Sequence, residues 1–314
     1  MEVPRYADLP AAALGGRSGW GVFGANDSIG RLHLQGPEAV LRGSRLVRRG
    51  VTFPLNAPID LFDPPLYHRP QVEHTVVNKG GKSLDDALDR FAPQASSQWD
   101  ALSHVAYAPD VFYGGVSAER ILAEHVNTIE HWAKKGIAGR AVLLDMSGHL
   151  ASCGAVAGES VAFTPDDLER VLASTGLTLE QGDVLLIRTG FLTWYLEQSL
   201  SVRAAMSVRT GLKAAGIDHS EEMAEWLWDC GIAAIASDSP SVEVWPPDED
   251  SGAVFGMLHR VLIGQLGFAL GELWWLDDLA ADCAAAQDFE MLLVSTPLHV
   301  PGGVGSTANA MAIR

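Results

Sequence analysis

The sequence contains little cysteine. Its three cysteines, Cys153, Cys230 and Cys283, are an odd number, and no two of them have the C-x-x-C spacing of many structural zinc sites. We therefore expect neither a disulfide framework nor a structural zinc site. The three side chains are predicted to be small, buried, apolar residues of a protein in a reducing compartment.

Basic residues are also scarce. The chain has 22 lysines and arginines against 39 aspartates and glutamates, which gives a formal net charge of −17 at pH 7. No basic cluster is longer than the pair Arg48 and Arg49. Because such a chain would repel nucleic-acid phosphates, we do not expect nucleic acid as a partner.

Long hydrophobic runs are missing as well. The N-terminal residues lack the basic stretch and the apolar run of a signal peptide. The most apolar window, residues 253–276, is interrupted by His259, Arg260, Gln265 and Glu272, which a bilayer would penalise heavily. We therefore expect a cytoplasmic protein without a membrane partner.

No linker rich in proline, glycine or serine divides the 314 residues, of which 47% are hydrophobic and 19% charged. A chain of this length and composition can bury one sizeable core. The sequence therefore predicts a single domain over residues 1–314.

Short aliphatic runs alternate with amphipathic segments along the chain. Four runs bounded by turn residues are predicted to be buried strands of a central sheet: residues 141–145, 184–188, 232–236 and 291–294. Capping residues at Thr164 and Ser220 predict helices that end before Gly176 and at Gly231. Residues 118–135 carry apolar side chains at helical spacing and predict a third helix. This alternation indicates a mixed α/β domain.

The most informative segment reads S-S-Q-W-D-A-L-S-H over residues 96–104. It places Asp100 and His104 four residues apart, which suits a metal ligand beside a proton-transfer group. Hydrolysis of an amide or ester near neutral pH needs a polarised carbonyl, an activated water and a proton carrier. The alternative is structural, with Asp100 capping a turn or helix and His104 packing beneath it.

Six segments, in the right order, resemble the cyclase family of metal-dependent hydrolases, which includes bacterial kynurenine formamidases and isatin hydrolases. The family signature H-x-G-T-H-x-D-x-x-x-H falls on residues 94–104, with its aspartate on Asp100 and its last histidine on His104. Gln94 and Gln98 occupy the two earlier histidine positions. The other similar segments are residues 26–34, 182–190, 236–241, 258–259 with 270–273, and 297–306.

The resemblance implies a fold and a set of metal ligands. The fold is a swivelling β/β/α arrangement, an open barrel-like mixed sheet with helices outside. The metal is held by Asp100, His259 and Glu272, while His104 takes and returns a proton. Both glutamines are further candidate ligands. A side-chain amide oxygen is a poor ligand for zinc but an acceptable one for manganese or magnesium, so we expect a divalent ion, manganese or zinc, bound more weakly.

We therefore predict a metal-dependent hydrolase of a cyclic or N-acyl amide (a formamide, an imide or an isatin-like ring) or of a lactone. Its partners would be a small-molecule substrate and further copies of the chain, in a homodimer or homotetramer. Trp99, Tyr113 and Trp245 are candidates for stacking on a flat substrate, with core or rim packing as the alternative.

Two other classes of function stay open at this point. One is a metal-independent lyase or cyclase that uses His104 and Asp100. The other is a small-molecule binding protein on a degenerate hydrolase scaffold.

Overall fold

The computed structural model describes residues 2–248 and 253–314. In chain order, the strands are β1 (Thr52–Pro54), β2 (Glu73–Asn78), β3 (Leu84–Asp89), β4 (Gln98–Asp100), β5 (Ile137–Asp145), β6 (Ala162–Phe163), β7 (Val184–Arg188), β8 (Gly216–Ile217), β9 (Ala234–Ser237), β10 (Ala269–Glu272), β11 (Glu290–Ser295), β12 (Gly305–Thr307) and β13 (Ala310–Ile313). The α-helices are α1 (Pro37–Ser44), α2 (Ala118–Glu124), α3 (Ile129–Lys135), α4 (Ser147–Ser152), α5 (Pro165–Thr175), α6 (Phe191–Leu196), α7 (Leu200–Met206), α8 (Glu221–Asp229), α9 (Leu258–Leu262) and α10 (Asp277–Ala286).

Nine strands form the central sheet, in the order β1-β13-β11-β5-β7-β9-β10-β4-β12. The four strands β5, β7, β9 and β10 are mutually parallel, and antiparallel strands extend the sheet on both sides. The sheet curls into a half-barrel with helices around it, which confirms the predicted open, barrel-like mixed α/β fold.

The predicted buried strands lie side by side at the middle of this sheet, as β11, β5, β7 and β9. Residues 184–187 of β7 are buried on both faces, as expected for parallel strands that are covered on both sides. The run predicted at 232–236 forms β9 two residues later, at Ala234–Ser237.

Two of the predicted helices agree closely with the structure. Helix α5 begins with a capping box between Thr164 and Asp167 and ends at Gly176, whose φ of 73° places it in the left-handed region. Helix α8 begins at the Ser220 cap and ends just before Cys230.

The third helix, predicted over 118–135, is instead two helices, α2 and α3. His125 and Asn127 have φ values of 56° and 62°, so the chain leaves the helical region between them. The side-chain amide of Asn127 donates to the Tyr113 carbonyl at 2.8 Å, and its backbone N–H donates to the Ser28 hydroxyl at 3.0 Å. These tertiary contacts hold a break that helical periodicity alone does not reveal.

The short strand β4 positions the candidate site. It lies between β10 and β12 and pairs with both, so that Gln98 is opposite Glu272 and Asp100 is opposite Leu270. Alternate residues of a strand face opposite sides of the sheet. Gln98 and Asp100 therefore share one face, and Trp99 points to the other.

The hairpin formed by β2 and β3 is exposed along all twelve of its paired residues. It precedes β4 in the chain.

The remaining composition-based expectations are only partly met. Cys283 is buried as predicted, whereas Cys153 is exposed and Cys230 is half-buried. In the described ranges, no helix is both long enough and apolar enough to cross a membrane.

Candidate metal centre

Three residues from distant parts of the chain meet at one end of β4. Asp100 ends β4, His259 lies in α9, and Glu272 ends β10. Each offers a donor atom, and these three atoms all lie within 4.8 Å of one another. All three side chains are buried. The structure thus brings together the aspartate, histidine and glutamate that the sequence suggests as metal ligands, which we call the triad.

Asp100 shows that the triad fits a cation. Both of its carboxylate oxygens are buried without a hydrogen-bond partner in the described part of the chain. The nearest ring nitrogens, Nε2 of His104 and Nε2 of His259, are 3.7 and 3.9 Å away. The side-chain oxygen of Gln98 is also buried and unpartnered there. A buried carboxylate without a donor is costly, and a divalent ion would satisfy these oxygens.

The orientation of His259 is fixed by a residue that the sequence analysis did not identify. Nδ1 of His259 is in short contact with Oε1 of Glu243, so the carboxylate accepts the Nδ1 hydrogen. The other ring nitrogen, Nε2, lies 2.9 Å from Oε1 of Glu272 and faces the triad. A carboxylate behind a histidine ligand is a recurring arrangement in metal sites, because it fixes the tautomer and raises the basicity of the free nitrogen.

The Glu243 carboxylate also has partners other than the His259 ring. It accepts the backbone N–H groups of Leu258 and His259 at the start of α9, and Nε2 of His219 lies 2.8 Å from its Oε2. Burial alone would raise the pKa of this carboxyl, but the two histidines outweigh burial and lower it to about 2. Glu243 therefore stays ionised.

The two carboxylates around His259 also change its protonation. Burial would lower the pKa of His259, but the charges of Glu243 and Glu272 outweigh it and raise the pKa well above its usual value. For Glu272, burial and the neighbouring charge of Asp100 raise the pKa. Without an ion, the triad therefore holds protons that a metal would displace.

The structure places the two glutamines differently. The amide nitrogen of Gln98 donates to Oε2 of Glu272, which leaves its orphan oxygen beside the triad. The amide of Gln94 instead lies 2.8 Å from Nδ1 of His104. Gly305 packs against that amide so closely that an added Cβ would be 2.8 Å from Cδ of Gln94. Gln94 thus contacts the proton-transfer candidate, a position that differs from its predicted role as a metal ligand.

His104 is at the edge of the pocket, with its side chain one quarter exposed. Burial lowers its pKa below the usual value, although the charge of Asp100 opposes the shift. His104 is therefore neutral near pH 7 and can accept a proton.

A cavity of about 230 Å³ opens onto the triad. Its wall includes Tyr67, Arg69, Arg209, Ser241 and Trp245. The hydroxyl of Ser241 is buried without a partner in the described residues.

Tyr67 has a φ of 58°, rare for a bulky aromatic residue, and three contacts hold it there. Its hydroxyl donates to the Pro240 carbonyl at 2.9 Å, its ring packs edge-on against Trp245, and the Arg69 guanidinium lies over its face.

Of the three aromatic residues predicted to stack on substrate, only Trp245 lines this cavity. Trp99 is fully buried on the other face of β4, where it packs edge-on against Trp274 and donates its indole N–H to Ser295 at 2.9 Å. Trp99 is therefore a core residue, and this placement corrects the substrate-stacking prediction.

Tyr113 does not line the cavity at the triad either, and its hydroxyl donates to Asp27 at 3.0 Å. Asp27 and Tyr113 both line a separate cavity beside Trp20. Core or rim packing, the alternative stated for these aromatics, describes Tyr113 and Trp99.

Sequence reasoning missed several residues of the site. Glu243 and His219 carry no recognisable spacing, although Glu243 comes two residues after the segment 236–241 that resembles the family. Tyr67 and Arg69 lie in an irregular, proline-rich stretch, which periodicity cannot assign to a face.

Comparison with known proteins gives one family. A family model described as putative cyclase matches residues 51–244. A solved structure described as a novel cyclase is 31% identical, with a TM-score of 0.83, and the match covers 95% of this chain and 99% of that one.

More distant neighbours share the fold. Isatin hydrolase A from Labrenzia aggregata is 16% identical with a TM-score of 0.60, over 86% of this chain and 94% of that one. Isatin hydrolase A from Ralstonia solanacearum is 15% identical with a TM-score of 0.57, over 84% and 92%. No curated protein sequence gives a significant match.

Proposed function

This chain belongs to the putative cyclase family, and on that premise we propose that it is a metal-dependent hydrolase of a cyclic or N-acyl amide or of a lactone. The observation that carries the proposal is the buried Asp100 carboxylate, which has no hydrogen-bond partner in the described residues and lies within ligand distance of His259 and Glu272. Two carboxylates and one imidazole, with room for further ligands, are typical of an open catalytic site.

Asp100, His259 and Glu272 would hold the ion, with the oxygen of Gln98 as a fourth donor from the protein. A bound divalent ion would polarise the carbonyl of the scissile bond and acidify the attacking water. Because the donor set is rich in oxygen and has a single imidazole, we propose that manganese is preferred to zinc.

His104 is the proposed proton carrier. Its ring is neutral near pH 7, and its Nε2 faces Asp100 across 3.7 Å, so it can take a proton from the attacking water and return it to the leaving group. The Gln94 amide has both a donor and an acceptor end and can therefore bind Nδ1 in either tautomer. Gln94 is thus a positioning residue for His104.

The cavity supports a small, flat substrate. Trp245 and Tyr67 supply aromatic walls, and the unpartnered Ser241 hydroxyl can donate to a substrate carbonyl. Two neighbours of the same fold are named as isatin hydrolases, and isatin contains a cyclic amide. This supports the C–N bond of a cyclic amide as the first substrate class to test.

The experiment compares ligand and proton-carrier variants of the purified protein. Manganese is titrated calorimetrically into the wild type, Asp100→Ala, Glu272→Ala and His104→Ala, and hydrolysis is screened with isatin, a formamide, an imide and a lactone. We expect about one ion per chain in the wild type and none in the first two variants. His104→Ala should keep the ion and lose turnover by roughly 100-fold or more.

The control is Glu222→Gln, an exposed substitution on α8 that should change neither binding nor turnover. Turnover that persists without any divalent ion would contradict the proposal. Loss of the ion in His104→Ala would instead move His104 into the ligand set.

A further inference from the structure

The cavity at the triad contains a cationic side chain, although the molecule as a whole is strongly acidic. The chain carries a net charge of −17, yet the cationic side chain of Arg69 lines the cavity together with Asp100 and Glu272. A divalent ion would neutralise Asp100 and Glu272 at the floor. The positive charge of Arg69 would then face a substrate within a strongly acidic protein, and such local fields select ligands by charge.

Arg69 is built into this wall. Its guanidinium lies over the Tyr67 ring, 5.0 Å from the ring centroid, and one terminal nitrogen donates to the Gln94 carbonyl. The Tyr67 ring and the Gln94 carbonyl restrain the planar guanidinium of Arg69 without neutralising its charge. Within residues 2–248 and 253–314, Arg69 forms no ion pair with an aspartate or glutamate.

The charge of Arg69 reaches the reacting end of the cavity. Burial is the main cause of the lowered pKa of His104, and the Arg69 charge acts in the same direction. Arg69 lines the same cavity of about 230 Å³ as His104, Asp100 and Glu272. An anion on Arg69 would therefore lie within the same small cavity as the triad and His104.

Building on the proposed function, we propose that Arg69 is a specificity-determining residue that binds a carboxylate of the substrate, so that the enzyme hydrolyses an anionic amide or lactone. A restrained guanidinium offers two parallel N–H donors, the geometry that a carboxylate accepts. The carboxylate on Arg69 is distinct from the scissile carbonyl, which lies at the triad. A neutral analogue of the substrate would desolvate the Arg69 charge without supplying a counter-charge.

The test uses benzoate and benzamide, which have nearly the same shape and differ in charge. Each is titrated into the wild type, Arg69→Gln, Arg69→Lys and the control Arg48→Gln, which changes an exposed arginine that does not line the cavity. All titrations are made with saturating manganese and again after chelation, and the manganese Kd is measured separately for every variant.

We expect the wild type to bind benzoate at least about tenfold more tightly than benzamide, the size of a charge-assisted bidentate contact. At saturating manganese, Arg69→Gln should abolish that preference without changing the benzamide Kd. Arg69→Lys should keep part of the preference, since it keeps the charge and loses the fork. Arg48→Gln should behave as the wild type.

Three outcomes would overturn the inference: equal affinity of the wild type for the two probes, no measurable benzoate binding, or a preference that survives in Arg69→Gln. A benzoate preference that is lost on chelation and unchanged in Arg69→Gln would show that the metal alone binds the anion. Failure of the proposed function has a different signature, the absence of manganese binding in the wild type. The Arg69-dependent preference can still be measured in that case.

Discussion

Replacing Glu243 by glutamine tests whether the residue behind His259 sets the strength of metal binding. The substitution keeps the shape and one acceptor oxygen but removes the charge that accepts Nδ1–H of His259. A hydrogen bond to a charged group contributes about 1.5–3 kcal/mol and a neutral one about 0.5–1.5 kcal/mol. The lost difference is about 1–1.5 kcal/mol, or roughly tenfold in affinity. Removal of such a partner typically weakens metal binding by about 10–100-fold.

The pH dependence gives this prediction a second signature. In the wild type, the raised pKa of His259 means that manganese must displace a proton, so affinity rises with pH. Without the Glu243 charge that pKa falls, and the proton competes less. We therefore expect Glu243→Gln to bind manganese about 10–100-fold more weakly at pH 8.5, with the difference narrowing toward pH 6.

Calorimetric titration of manganese from pH 6 to 8.5, in buffers of different ionisation enthalpy, measures both the Kd and the protons released. Glu222→Gln on α8 is the matched control. Circular dichroism checks folding, because Glu243 also accepts the first backbone N–H groups of α9. An unchanged Kd at pH 8.5 in a folded Glu243→Gln variant would refute the reasoning.

Three further predictions concern the residues around the triad. Gln98→His supplies a nitrogen donor, so the ratio of the zinc Kd to the manganese Kd should fall, and an unchanged ratio would place Gln98 outside the ligand set. Since burial lowers the pKa of His104 below its ordinary value, kcat/KM should fall as pH drops through that pKa. Arg69→Gln should move this acid limb of the pH profile to higher pH, and a limb that does not move would contradict the coupling. Gly305→Ala should displace the Gln94 amide and lower kcat while manganese binding is retained, which steady-state kinetics and metal titration would measure. Equal loss of turnover and of manganese binding would indicate a general disturbance of β4.

The parts of the molecule that were predictable from sequence are those with a local signature. The run 184–188 coincides with β7, and Thr164 begins α5, because a buried aliphatic run and a helix cap are encoded within a few residues. The resemblance located Asp100, His259 and Glu272, which are up to 172 positions apart in the chain and meet only after folding.

The rest depended on tertiary contacts. The break at His125 and Asn127 is held by hydrogen bonds to distant residues, so periodicity predicted one helix where there are two. Glu243 gains its role only because α9 begins against it. Trp99 was expected to stack on the substrate, but it follows Gln98 and precedes Asp100 in β4, and neighbours along a strand face opposite sides of the sheet.

The alternation along β4 also constrains how the site can change during evolution. Gln98 and Asp100 lie on the face of β4 that forms the metal site, and Trp99 is anchored on the other face by Trp274 and Ser295. Insertion or deletion of a single residue before this strand would exchange the faces, moving a tryptophan into the site and two polar side chains into the core. Both edges of β4 are paired, which leaves it no room to slip. Lineages that change metal preference are therefore expected to do so by substitution of residue 98. The loop before β4 can change in length only where the pairing register of β4 is kept.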